Sequence, residues 1–154
     1  MASGDELKAV LRRQPVGIVV VTVDLEGERL GLTVASFVGL ALEPPLVGIS
    51  IAHQAALHEL LRAAGGFAVS LLAAGQVELA RHFARGVPTI VLWHGIDVRP
   101  GTRAPLLKGA VGWLECALAA EHEAGDHTFF VGRVERAEAG EPGPALVRVY
   151  GDYA

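Results

Sequence analysis

Gly125-Asp126-His127-Thr128-Phe129-Phe130-Val131-Gly132 sets an acid and an imidazole in a turn that opens straight into an apolar strand. An imidazole held at the mouth of a β-structure titrates near neutral pH within reach of a ligand. Asp126 is expected to shape the turn by bonding backbone N–H groups. A second chemistry is offered by Thr33-Val34-Ala35-Ser36-Phe37. Its hydroxyls and successive backbone N–H groups can bond the carbonyl or phosphate oxygens of a ligand, or simply satisfy the backbone of a strand end. Other chemistries find no support. No Gly-x-Gly-x-x-Gly follows a strand and no Gly-Lys-Ser/Thr phosphate loop occurs. His58-Glu59-Leu60-Leu61-Arg62 begins like a zinc-protease helix, but Arg62 stands where the second histidine is needed. His122 and His127 are expected to face each other across the turn, and Cys116 has no thiolate partner, so no metal site is expected. Cys116 reads as a small core residue.

The elements that hold these groups follow from the apolar pattern. Leu7, Val10 and Leu11 have helical spacing, which Arg12-Arg13-Gln14-Pro15 ends. Val16 to Val23 is β-branched and almost wholly apolar, as in a strand covered on both faces. Asp24 to Glu28 supplies a turn, and Leu30 to Val34 returns as the partner strand. Pro44-Pro45 marks an extended corner before a strand over Leu46 to Ile51. Ala56, Leu57, Leu60 and Leu61 trace one helical face between Gln54 and Ala64, closed by Gly65-Gly66. Phe67 to Leu72 is a strand and Gln76 to Ala84 a short amphipathic helix. Arg85 to Arg103 reads mostly as loop. Gly109 to His122 and His127 to Glu138 form a long hairpin, and Ala145 to Tyr150 a last strand stopped by Gly151. Six or seven strands, two or three short helices and no repeated βαβ unit argue against a doubly wound parallel sheet. A closed or partly open antiparallel barrel hides the edges of such strands better.

The 154 residues suit a single domain, with 51% hydrophobic and 19% charged residues arguing against disorder. A formal net charge of −4 and the absence of a basic cluster give no general attraction to nucleic acid or anionic lipid. The apolar runs are too short to span a bilayer, and Met1 to Glu6 lacks the regions of a secretory signal. One cysteine permits no internal disulfide, which suits the cytoplasm.

Taken in order, Thr33-x-x-Ser36-Phe37, Pro44-Pro45-Leu46-Val47, Leu114-Glu115-Cys116 and Gly125-Asp126-His127-Thr128-x-Phe130-x-Gly132 resemble the flavin reductase family that supplies reduced flavin to two-component monooxygenases. The resemblance runs from about Val16 to Tyr153. It implies a mainly β, antiparallel Greek-key split barrel (the FMN-binding split barrel) over residues 1–154, with its core at about 10–153. It also implies a homodimer, and hydride transfer from NADH or NADPH to FMN or FAD, with a partner oxygenase taking the product. Thr33, Val34, Ala35, Ser36 and Phe37 match one flavin-contacting segment, and Ser50, Ile51, Ala52 and His53 the next. Phe83 and Arg85 match the end of a short helix near the flavin phosphate; Arg81 is read as a solvated charge. His127 matches the imidazole beside the nicotinamide and the reactive edge of the flavin, and Tyr153 matches a closing tyrosine near the groove. The chain departs from the family at Ala55 and Leu57, where Ser and Thr are usual. Losing two neutral hydrogen bonds of about 1 kcal/mol each would weaken flavin binding, unless His53 or the start of the following helix compensates.

Fold alone does not set function. A non-catalytic flavin or electron carrier, and an oxidase using bound flavin on another small molecule, are the competing expectations.

Overall fold

The computed structural model describes residues 1–154. Helix α1 (Gly4–Leu11) starts at a capping box, with Ser3 Oγ accepting the Glu6 N–H at 3.1 Å and Glu6 Oε1 accepting the Ser3 N–H at 2.8 Å. The apolar run expected as one strand is two. β1 (Val16–Gly17) and β2 (Val19–Leu25) part at Ile18, whose N–H donates to Leu146 and whose carbonyl accepts from Leu72. The expectation of burial on both faces holds: Val19, Val21 and Val23 enter one core, and Ile18 and Val20 another.

A tight turn leads to β3 (Glu28–Val34). The next strand, β4 (Val38–Leu42), is absent from the sequence reading because all five residues are exposed and carry no alternation. It turns at Glu43-Pro44 into β5 (Pro45–Ala52). Helix α2 (Ala56–Ala64) buries Leu57, His58, Leu60 and Leu61 and stops at Gly65, whose φ of 71° suits a residue without a Cβ. β6 (Gly66–Leu71) and α3 (Val77–Ala84) match their expected places.

The stretch read as loop holds a one-turn helix, α4 (Thr89–Leu92), and a small ribbon of β7 (Val98–Arg99) with β8 (Leu106–Leu107). These pieces are too short to leave a periodic signal. β9 (Gly112–Ala124) and β10 (His127–Ala139) form the long hairpin, with only Gly125-Asp126 between them. The last expected strand is β11 (Val147–Val149), and an unexpected short strand, β12 (Asp152–Tyr153), follows it because Tyr150 and Gly151 both take positive φ and turn the chain back.

The main sheet is antiparallel in the order β3-β2-β6-β9-β10-β5-β4. Laid flat, seven strands would hold their edges about 29 Å apart. Yet the edge strands β3 and β4 are joined only by residues 35–37, a link that reaches at most about 14 Å. The sheet must therefore roll up. Ser36 sits on the seam, and its hydroxyl accepts the Ser50 N–H at 3.0 Å and donates to the Ser50 carbonyl at 2.9 Å. Inside the roll, Ile49, Ile51, Phe67, Val69, Cys116 and Phe130 pack with α2. A second cluster joins Val20 to α3, Leu107 and Leu146.

Candidate functional site

Register decides which side chains meet. On β5 and β10, His127 opposes Ala52 and Phe129 opposes Ser50. Thr128, Phe130, Ile49 and Ile51 point inward and are buried, so His127, Phe129, Ser50 and Ala52 share the outer face. Ser36 is bonded to Ser50, and Ser50 lies two residues along β5 from the partner of His127. The hydroxyl seam and the imidazole turn therefore meet the same stretch of β5 within one subunit. Phe129 carpets the strand beside them: a Cβ on Gly48 would fall inside its ring.

His127 is half-exposed, with Nδ1 donating to Asp126 Oδ1 at 2.8 Å. That bond and the ring's charge hold the Asp126 carboxyl below its usual range. The expected bond to turn backbone is present but secondary: the carboxylate serves mainly the imidazole and, less strongly, the backbone of Asp126, and the Asp126 carbonyl accepts the His53 N–H at 2.9 Å. A second couple stands next to the first, with His53 Nε2 2.7 Å from Glu123 Oε2. Glu123 Oε1 also accepts the Thr128 hydroxyl at 2.9 Å. Thr128 and, less strongly, His53 hold the Glu123 carboxyl low. Thr128 has a single hydroxyl proton and gives it to Glu123, so the 2.7 Å contact with His58 requires His58 Nε2 to be the donor. His58 Nδ1 is buried without a hydrogen-bond partner, 3.5 Å from Glu59 Oε1.

The linkage of these groups is not legible in the sequence, where His58 reads only as a candidate metal ligand. Its place between Leu57 and Leu61 on the apolar side of α2 was the available signal for burial. Glu123 carried no signal, because its partners are set by β9–β10 register. The same register corrects another expectation: His122 opposes Phe129, and His127 opposes Ala124.

From His53 the chain runs through Gln54 to Ala55, at the start of α2, which has no capping side chain. There a cleft of ≈ 370 Å³ opens between β3, α2 and the α3–α4 turn, lined by Leu30, Leu32, Ala55, Leu57 and Phe83. Ala84 and Gly86 line it too, so the exposed Arg85 stands at its rim. The departure at Ala55 and Leu57 thus falls on this wall. Leu57 is also a core residue, with 3% of its surface exposed.

Other members of the expected set serve the fold. Thr33 Oγ1 donates to the Ala80 carbonyl at 2.5 Å, tying β3 to α3. Val34, Ile51 and Phe83 turn buried side chains inward and offer a ligand at most their backbone or an edge, whereas Ala35 is exposed and Phe37 half-buried at the seam. Tyr153 packs with the second cluster, with Arg81 and Arg148 5.7 and 5.8 Å from its ring centre. Arg81 pairs with Glu78 at 2.6 Å. Cys116 is fully buried, and its thiol is pushed up to about 12 by that burial, which excludes it as a nucleophile at neutral pH.

A rolled antiparallel barrel with an imidazole–hydroxyl face leading into an apolar cleft is the architecture of a split-barrel flavin protein. Residues 11–154 match the family model described as "Flavin reductase like domain". The chain is 41% identical over 143 residues to the reductase component of 4-hydroxyphenylacetate 3-monooxygenase from Thermus thermophilus, covering 93% of this chain and 90% of that one. It is 36% identical over 145 residues to an NADH:FMN oxidoreductase of Rhodococcus erythropolis, covering 92% and 73%. Among solved structures it superposes on the NADH:FAD oxidoreductase SgcE6 of Streptomyces globisporus C-1027 with a TM-score of 0.94 and 38% identity, covering 100% and 95%. The chain belongs to the flavin reductase family. No helix is long and apolar enough to cross a membrane.

Proposed function

We propose that this protein is an NAD(P)H-dependent flavin reductase that passes reduced FMN or FAD to a partner oxygenase. Of the relatives named above, one is the reductase component of a monooxygenase and two are NADH:flavin oxidoreductases. The observation that carries the reading is the meeting of Ser36 and His127 on one stretch of β5 and the continuation of that stretch, through residues 52–55, into the apolar cleft.

The residues fit a flavin. The cleft offers apolar walls for a ring, and the uncapped first turn of α2 offers free N–H groups to a phosphate, with Arg85 nearby. Ala35 and Ser36 follow directly on β3, whose Leu30 and Leu32 line the cleft, and His53 precedes Ala55 by two residues. A bound flavin would supply the electron chemistry as the acceptor of hydride from the nicotinamide. The protein's share is positioning. Asp126 sets the rotation of His127 and leaves Nε2 free to hold the nicotinamide. Glu123 fixes His53 in the same way, and Phe129 keeps water off the strand beneath.

The protein acts in the cytoplasm as a homodimer. Support for the dimer comes from edge strand β4, where Val38, Leu40 and Leu42 are exposed, Leu42 at 94%. A second copy would cover such an edge. Light scattering should give twice the chain mass.

Steady-state oxidation of NADH and of NADPH with FMN, FAD and riboflavin tests the activity. Catalytic bleaching of free flavin is expected. Bleaching of one bound equivalent only would make the protein a carrier, and retained flavin with neither nicotinamide oxidised would make it an oxidase of something else. Because Leu57 is core, only Ala55 is free to regain a hydroxyl without loss of packing. Ala55→Ser should tighten FMN about fivefold, one neutral hydrogen bond, measured by equilibrium titration. Unchanged affinity would move the phosphate away from α2.

A further inference from the structure

Thirteen side chains are cationic, and six of them, Arg29, Arg62, Arg81, Arg99, Arg103 and Arg136, lie within 4.0 Å of a carboxylate. Of the seven without one, four gather at a single place. Lys8, Arg12 and Arg148 line a groove of ≈ 360 Å³ between α1 and β11, and Arg13 stands beside it over the Tyr150 ring at 5.8 Å. No acidic side chain lines this groove, and its floor is apolar, with Leu7, Leu11 and Val16. The walls are held in place: Arg12 Nη2 donates to the Tyr150 carbonyl at 2.9 Å and the Arg12 carbonyl accepts the Tyr150 N–H at 2.6 Å. Helix α1 buries none of its residues, so its apolar side faces the groove without a protein partner.

The groove is continuous with the site already described. Ala35 lines it, and the adjacent Ser36 is bonded to Ser50 on the imidazole face. A ligand on that face that extends across the β3–β4 link therefore enters a slot with apolar walls and uncompensated cations. Such a slot suits an aromatic base carrying phosphates. FMN has no such second end, and that of FAD continues from the flavin phosphate at the start of α2, so NAD(P)H is the dinucleotide whose adenosine end is free to reach the groove.

We propose that the groove between α1 and β11 binds the adenosine-phosphate end of NADH or NADPH, whose nicotinamide lies on the imidazole face, with Lys8 and Arg148 meeting its phosphates. The proposal rests on the flavin reductase reading for which dinucleotide is met.

ADP is the probe, titrated calorimetrically into the wild type and into Lys8→Glu/Arg148→Glu. Both residues are exposed, and the milder Lys8→Gln/Arg148→Gln pair and urea midpoints guard against misfolding. The expected result is saturable ADP binding that weakens at least tenfold in the charge-reversed variant, with FMN binding unchanged. Kinetics then identify the source. With FMN as acceptor, a tenfold rise in KM for NADH or NADPH at unaltered kcat assigns the groove to the nicotinamide dinucleotide. At saturating NADH, a rise in KM for FAD but not FMN would give the groove to FAD and overturn the proposal. No ADP binding by the wild type, equal ADP binding by the variant, or equal losses for FMN and FAD would each overturn the proposal, as would weakened ADP binding with every KM unchanged. A wild type that oxidises neither nicotinamide with any flavin would instead sink the reductase reading and leave the ADP titration to judge the groove.

Discussion

Glu115 and Glu123 stand eight residues apart on strand β9, both as carboxylates with two or more hydrogen-bonding partners, yet they do different work. Glu115 has a side chain 3% exposed and sits under the loop that precedes β8. It accepts the Arg103 N–H at 2.7 Å and the Thr102 hydroxyl at 3.3 Å, with Arg136 Nε at 3.6 Å. Glu123 has a side chain 64% exposed and holds His53 and Thr128 at the hairpin end. Donor counts are similar, so water makes the difference. The Glu115 carboxylate is itself out of water and depends on its protein donors, whereas Glu123 and its partners can turn to solvent or to a ligand. One carboxylate therefore belongs to stability and the other to the site.

The sharpest way to break that contrast is Glu115→Ala. It should lower the unfolding free energy by about 2–3 kcal/mol, because hydrogen bonds to a buried charged acceptor are lost, and Tm by about 4–12 °C for a domain of this size. Thermal unfolding measures it, and an unmoved Tm would erase the distinction. At the other end of β9, His127→Ala should raise KM for NAD(P)H about tenfold, a loss of about 1.4 kcal/mol in binding, and leave Tm and flavin affinity nearly unchanged. Wild-type nicotinamide kinetics in that variant would remove His127 from the site.

Glu123→Gln should have the smallest effect on catalysis, about threefold in KM with little change in kcat, through loss of His53's anchor. It also has a signature in pH. Thr128 and His53 hold the folded carboxyl below its unfolded value of about 4.3. The stability Glu123 contributes is therefore fully present above that value and is lost as pH falls through the lower folded one. The stability gap between wild type and Glu123→Gln, read from urea midpoints, should persist at pH 7 and close in strong acid. A gap independent of pH would mean that the carboxylate charge plays no part.

Much of the fold was legible because burial leaves a period. The apolar side of α2, its stop at Gly65 and the long hairpin around Gly125-Asp126 all followed from spacing and turn chemistry. What escaped was what burial does not mark. β4 is exposed along its whole length, and α4, β7 and β8 are shorter than any period. The break at Ile18 escaped for the opposite reason, since both halves of the run are apolar and only their hydrogen-bond partners differ.

The site divides along the same line. Residue types and their order along the chain determined that this is a flavin reductase, and that a hydroxyl-bearing segment and an imidazole turn are the parts to watch. Only the tertiary structure decided that Thr33 bonds α3 and not the open face, that Leu57 is core as well as wall, and that Glu123, Thr128 and His58 stand behind His53. Local sequence sets which groups exist and which conformations they favour. Which of them meet is set by strand register and by the closure of a seven-stranded sheet, and those are properties of residues far apart in the chain.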